Sequence, residues 1–227
     1  MKSDLIRQQL RKFYDQSATD FSRTRKCWWK DLDFIKEHLP KNGKLMDFGC
    51  GNGRLIDFLN ENNFQLEYQG ADISKELITI AAKNYPKKEF SLVEREDLLP
   101  FKSGSFDVIT AIAVFHHFDR SMAQKALFEL SRTLKPGGVL ILTAWNLWSS
   151  KYIPYLIKNL LKGRLSFFSL IPFQVGKKKY WRYCYWWRLS VLTKVIERTD
   201  LKIVRKGFSL GKNGSKRNIY LILKKKY

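Results

Sequence analysis

The chain has 227 residues, enough for one α/β domain with a sizeable core, and its 44% hydrophobic content excludes a disordered protein. Its three cysteines, Cys27, Cys50 and Cys184, lie far apart with no C-x-x-C pair, which argues against a disulfide framework or a metal site and fits a reducing, cytoplasmic setting. The formal net charge of +21 is lopsided: residues 145–227 hold 20 of the 42 Lys and Arg but only Glu197 and Asp200 among the acids, so a polyanionic partner is expected, nucleic acid or an anionic membrane.

The N-terminus, MKSDLIRQQLRKFYDQ, is charged throughout and carries no signal-peptide core. Residues 1–20 read as a helix, and Trp28, Leu32, Ile35 and Leu39 at helical spacing predict a second over about 28–39. These make a helical cap over residues 1–40. From 41 to 145, strands alternate with helices. KLMDFG is a first buried strand, Arg54–Asn60 a helix, and QLEYQGADIS a second strand ending at Asp72. KELITIAAKNYP is a helix, FSLVERED a third strand ending at Asp97, and FDVITAIAVFHHF a fourth running to two histidines. A helix then ends at KPGG before a fifth strand, VLILTAW. Residues 146–180 break the alternation and read as a basic, aromatic helical or loop insertion. Its apolar run from Tyr152 to Val175 is interrupted by Lys158, Lys162 and Arg164, so no transmembrane span is expected. Over 181–227 a helix precedes two strands that suit an antiparallel edge hairpin. The pattern predicts a single Rossmann-like, doubly wound, mainly parallel sheet.

Asp47 closes the first strand, and Gly49, Gly51 and Gly53 follow at alternate positions. A dinucleotide loop would read G-x-G-x-x-G, but here the sixth position is Arg54, and the Lys–Ser/Thr pair of a triphosphate loop is missing. Asp72, at the end of the second strand, can accept both hydroxyls of a ribose, and Asp97 can accept the exocyclic amine of adenine. An NAD-binding domain is the alternative reading of this set.

Together, Asp47, the three glycines, Asp72, Asp97 and Asp107 in FDVI resemble the class I S-adenosylmethionine-dependent methyltransferases over about residues 40–145. That resemblance implies S-adenosyl-L-methionine as cofactor. Gly49 and Gly51 would approach its methionyl part, Asp72 its ribose, and Asp97 with Leu98 its adenine; Asp47, Cys50, Gly53, Ile73 and Ala113 complete the implied set. Two outer segments resemble the tRNA wobble-uridine carboxymethyl methyltransferases more narrowly. FSRTRKCWW is similar to their Phe-Ser-x-Thr-Arg stretch before a Trp-Pro helix, with Trp29 in place of proline. WRYCYWW is similar to their Arg-Tyr-Tyr-His motif, with Cys184-Tyr185 in place of Tyr-His.

The resemblance implies tRNA as partner, held through the basic C-terminal third, and allows for a small activator protein. A carboxymethyl acceptor, with a pKa near ~4, is already ionised and needs a cationic clamp more than a base. Arg25 and Arg182 suit that clamp. Arg25 could instead pair with Asp20 or Asp31, and Arg182 could contact phosphate. His116 is placed beside the transferred methyl, as general base if the acceptor were a hydroxyl or amine, or otherwise as a structural loop histidine. Fewer than half of the C-terminal aromatics are expected at the surface. The rival readings are a lipid or small-molecule methyltransferase on an anionic membrane and an RNA-binding protein that has lost catalysis.

Overall fold

The computed structural model describes residues 2–25, 27–161 and 167–227. Lys162 and Arg164 lie outside the described residues. Helix α1 (Lys2–Thr24) leads through a 3-10 helix (Lys30–His38) into β1 (Asn42–Phe48), α2 (Leu55–Glu61), β2 (Gln65–Asp72), α3 (Lys75–Asn84), β3 (Glu89–Leu92) and β4 (Phe106–Ala111). Then come α4 (Arg120–Thr133), β5 (Leu134–Trp145), α5 (Ile153–Leu161), β6 (Phe168–Val175), β7 (Lys178–Tyr185), α6 (Leu189–Ile196), β8 (Leu201–Leu210) and β9 (Lys216–Lys225). Seven strands form one sheet in the order β3-β2-β1-β4-β5-β9-β8, and β6 and β7 form a separate hairpin. Strands β1 to β5 pair in parallel. β9 runs antiparallel to both neighbours, β5 and β8, so the expected C-terminal hairpin closes the edge of the sheet.

Side chains alternate across a strand, and here that alternation builds two cores. Met46, Ile109, Leu140 and Leu223 enter the core under α4 and α6, while Leu45, Val108, Ile141 and Ile222 enter the one under α2 and the 3-10 helix. Strands buried on both faces read as continuous apolar runs, which is why β4 and β5 were visible in the sequence. Fully burying each such side chain contributes roughly 1.5–3 kcal/mol. No described helix is long and apolar enough to cross a membrane.

Four expectations are corrected. β3 ends at Leu92, well before Asp97, and β4 ends at Ala111, so Phe115–His117 is one turn of 3-10 helix and no strand. The KPGG run, read as a helix stop, lies inside the span of β5. The insertion contains α5 and a β-hairpin whose second strand crosses position 180, because Gly176 at φ +56° turns the chain and Tyr180 to Tyr185 pair back onto β6. The hairpin packs on a small third core of Leu147, Ile171, Cys184 and Trp186. Of the thirteen aromatics interleaved with the basic residues, only Phe167 and Trp181 are exposed; Trp186 and Trp187 donate their indole N–H groups to the Ser169 hydroxyl and the Phe115 carbonyl.

Candidate active site

The chain leaves β1 at Phe48 and turns under a cavity at the carboxyl end of the parallel strands. Gly49, Gly51 and Gly53 have φ of +78°, +56° and +82°, a region open to glycine at no steric cost. The Gly49 and Cys50 amides donate to the Ala71 carbonyl, and the Gly51 amide donates to Asp72 Oδ2 at 2.8 Å. Asp72 Oδ1 accepts from the Ser74 amide, so one carboxylate ties the glycine loop to the start of α3. Burial pushes Asp72 up against the opposing pull of these amides. Asp47 is buried, accepting from the Tyr68 and Thr110 hydroxyls at 3.0 and 2.8 Å, and burial lifts its carboxyl to about 6.

Asp47, Gly49, Cys50, Gly51, Asp72, Ile73 and Ala113 all line this cavity, and α1 roofs it with Arg7, Leu10, Tyr14 and Phe21. Gly53 sits just outside, where an added Cβ would meet the Tyr85 ring at 2.8 Å. Ala113, at φ +57°, donates its amide to Thr143 Oγ1 at 2.7 Å. Asp97 and Leu98 do not line the cavity. The chain re-enters after β3 through an Arg95–Leu98 bridge, which leaves Leu98 67% exposed and Asp97 bound by Arg95 at 2.9 Å. Glu96 takes the wall position instead, in a two-point pair with Arg7 at 2.6 Å on each arm.

A second, more open cleft of about 760 Å³ lies between α1, β5, the β6–β7 hairpin and the β8–β9 turn. Trp29 borders both spaces. Arg25 and Arg182 line this cleft, with Lys151, Lys216 and Arg217 also on its wall. Arg182 is 4% exposed, its guanidinium lies 4.2 Å over the Trp145 ring, and its Nε has no hydrogen-bond partner. Arg25 rests between the Phe21 and Phe173 rings at 5.4 and 5.5 Å, and burial with Arg182 nearby lowers its pKa. Among the described residues neither arginine meets a carboxylate: Asp20 is taken by Arg23, Lys178 and Tyr180, and Asp31 by Arg217, Ser209 and Asn218.

His116 lines neither space. It is 1% exposed and stacked 4.5 Å from Trp145, and burial holds it well below the usual imidazole range. The histidine on the cofactor cavity is His117. The Tyr183 carbonyl can only accept, so His117 Nδ1 donates to it at 2.9 Å and Nε2 accepts from the Tyr14 hydroxyl at 2.6 Å. Burial pushes His117 down to about 3 and Tyr14 up to about 12. His116, His117 and Cys184 bring ligand atoms within 4.8 Å of one another. With both His117 nitrogens engaged and the Arg182 charge acting on all three, we assign no metal there.

Sequence reasoning missed Tyr14, His117, Arg54 and the Arg7–Glu96 pair. Only Tyr14 left a signal, as an aromatic on the inner face of α1; the rest depend on contacts between distant segments.

The glycine cradle passes a direct test for close approach. A Cβ on Gly49 would lie 2.3 Å from Val114 Cγ2, whereas one on Gly51 would meet nothing nearer than the Phe21 ring at 3.7 Å, so backbone there is open to a ligand. With a buried carboxylate at the end of each of the first two strands, fold and cavity define an enzyme that holds an adenosyl cofactor at the carboxyl ends of its strands. A family model described as "Methyltransferase domain" matches residues 46–142. The chain is 34% identical over 143 residues to a tRNA (carboxymethyluridine(34)-5-O)-methyltransferase of Arabidopsis thaliana, covering 63% of this chain and 34% of that protein. It is 30% identical over 197 residues to an uncharacterized protein of Methanocaldococcus jannaschii, covering 86% of this chain and 68% of the relative. A crystal structure of a SAM-dependent methyltransferase from Methanosarcina mazei superposes with a TM-score of 0.70 at 19% identity, covering 88% and 99% of the two chains. The chain belongs to the class I S-adenosylmethionine-dependent methyltransferases, whose cofactor is S-adenosylmethionine. It spans only about a third of the Arabidopsis protein.

Proposed function

We propose that this enzyme methylates a carboxylate on a wobble uridine of tRNA, making the carboxymethyl ester. The observation that carries this is Arg182: a buried guanidinium with a free Nε and no carboxylate partner, facing a cleft that shares Trp29 with the cofactor cavity. Burying an unpaired charge is costly unless a ligand completes it. An anionic acceptor does so, with Arg25 as the second arm. No histidine lines the cleft, which agrees with an acceptor that has no proton to lose. Methyl transfer from a sulfonium is an in-line displacement, so alignment and exclusion of water are what the protein contributes. The named similarity to a carboxymethyluridine methyltransferase points the same way; a membrane acceptor finds no such support.

Asp47, Gly49, Cys50, Gly51, Asp72, Ile73 and Ala113 would hold the cofactor, with Gly53 supporting the loop and Asp72 on the ribose. Asp97 and Leu98 could frame adenine only after the Arg95 pair opens. Asp47 faces the methionyl ammonium in this reading, and its raised pKa sets a pH signature. The folded value near 6 lies above the ordinary ~3.9, so the unliganded fold loses stability as pH rises through that window. A bound cation requires the ionised form. Affinity for S-adenosylmethionine should therefore be about tenfold weaker at pH 5 than at pH 7, and Asp47→Asn should flatten that dependence. Isothermal titration at the two pH values checks it.

The test of function is incubation with labelled cofactor and either total RNA or total lipid, followed by nucleoside analysis, with and without an added activator subunit. Label in a carboxymethyluridine ester is expected; label in lipid would sink the proposal. RNA binding should weaken steeply with salt. Lys177, Lys178 and Lys179 sit at the hairpin turn, and Lys178 is partly spent on Asp20 at 3.5 Å. Changing all three to Gln should lower the slope of log K against log salt by about 2, at ~0.7–0.9 per phosphate contact. An unchanged slope would place the RNA path elsewhere.

A further inference from the structure

Arg54 holds a third uncompensated arginine charge, and it belongs to the other ligand. It follows Gly53 directly and lines the cofactor cavity, not the acceptor cleft. Its guanidinium stacks 3.7 Å over Trp29, the residue common to both spaces, and its Nη1 is buried with no hydrogen-bond partner. Two other partly buried arginines are neutralised by the protein, Arg7 by Glu96 and Arg132 by Glu129, while Arg11, which lines neither space, reaches the Glu94 carbonyl. Among the described residues Arg54 has no such pair. Burial and the Arg25 charge lower it to about 10, and the Asp47 charge opposes them. Arginine stays protonated even so, and a desolvated, ionised donor without an acceptor is costly unless a ligand supplies an anion.

We propose that Arg54 binds the α-carboxylate of the cofactor's methionyl arm. This rests on the assignment of S-adenosylmethionine as donor. Asp47 then takes the ammonium and Arg54 the carboxylate of one zwitterion, anchoring the arm that carries the sulfonium. The division also explains why three unpaired arginines sit around one junction: the donor's single carboxylate meets Arg54, and Arg25 and Arg182 are left for the acceptor. Arg54 is a binding and positioning residue, because the group it holds does not react. Trp29 fixes the guanidinium plane by stacking, which lysine could not exploit.

The test compares ligands that differ only in the carboxylate. Calorimetry on the full chain would measure S-adenosylmethionine, its decarboxylated analogue and 5′-methylthioadenosine, which lacks the whole amino-acid end, against wild type, Arg54→Gln and Arg54→Lys. Wild type should prefer S-adenosylmethionine over the decarboxylated ligand by roughly ten- to hundredfold. Arg54→Gln should bring that ratio close to one and leave 5′-methylthioadenosine binding unchanged, with Arg54→Lys in between. If Arg54→Gln weakens all three ligands equally, Arg54 is a packing element on Trp29 and the proposal is overturned. A wild type that fails to distinguish the first two ligands overturns it without any variant, which covers the case of a variant that does not fold. Failure of wild type to bind S-adenosylmethionine at all would instead contradict the donor assignment.

Discussion

Arg182→Ala should lower the single-turnover rate of methyl transfer on the tRNA acceptor by about a hundredfold or more while leaving affinity for S-adenosylmethionine unchanged. The side chain is buried beneath the acceptor cleft and outside the cofactor cavity, so its loss falls on one ligand only. Without it the carboxylate stays hydrated and free to rotate, and misplacement of the order of 1 Å can cost about that factor. Arg182→Lys should also be impaired, since an ammonium loses the planar contact with Trp145 at 4.2 Å. At saturating S-adenosylmethionine the rate of wild type should be flat between pH 6 and 8. His117 is held near 3 with its Nδ1 proton committed to the Tyr183 carbonyl, and His116 is sealed behind Trp145. Quenched-flow measurement across that range checks both statements. A rate that climbs through pH 6–7 and flattens in His116→Ala would mean an acceptor with a proton to lose, and the ester mechanism would fall.

Gly49→Ala should abolish measurable cofactor binding and lower the melting temperature by several degrees. Two terms add. An alanine at φ +78° carries left-handed strain of roughly 1–2 kcal/mol. Its Cβ would also sit 2.3 Å from Val114 Cγ2, so the loop or the strand-end segment around Ala113 must shift, and both line the cavity. Gly176→Ala separates the terms, because that glycine has φ +56° with nothing within 4 Å of an added Cβ. It should lose stability through strain alone and bind cofactor normally. For a chain of this size, each 1 kcal/mol shifts the midpoint by about 2–4 °C, within reach of differential scanning calorimetry. Gly49→Ala combined with Val114→Ala should recover part of the loss. Normal cofactor affinity in Gly49→Ala would remove this glycine from the cradle.

Much of the fold was legible along the chain. β4 and the second half of β5 are apolar runs, β2 alternates buried Leu66 and Tyr68 with exposed Glu67, and α3 and α4 carry helical spacing with Ser74 and Asp119 as caps that accept from Leu77 and Met122 amides. Such signals are local: period, cap and turn residue lie within a few positions of one another. The glycine loop and Asp72 were equally readable, because a tight turn after a strand has few sequence solutions. The hairpin of β6 and β7 was not. Its residues, Phe168 to Tyr185, read as a basic aromatic insertion because half of the pattern that buries them comes from Trp145, Leu147 and Tyr155 elsewhere.

The sequence by itself determined the doubly wound sheet, the glycine turn after β1 and the basic C-terminal third, since periodicity, glycine placement and charge are properties of the chain. Tertiary structure alone decided which of two neighbours does what. Asp97 and Glu96 are equal in sequence, but the strand ends early and Glu96 is the one on the cavity wall. His116 and His117 are equal too, yet one turn of 3-10 helix sends the first behind Trp145 and the second to the wall of the cavity under the glycine turn. The three unpaired arginines carry no mark among the 42 basic residues. What singles them out is their place on the walls of the two spaces with no carboxylate ion pair among the described residues, which depends on how distant segments pack and is invisible to any local pattern.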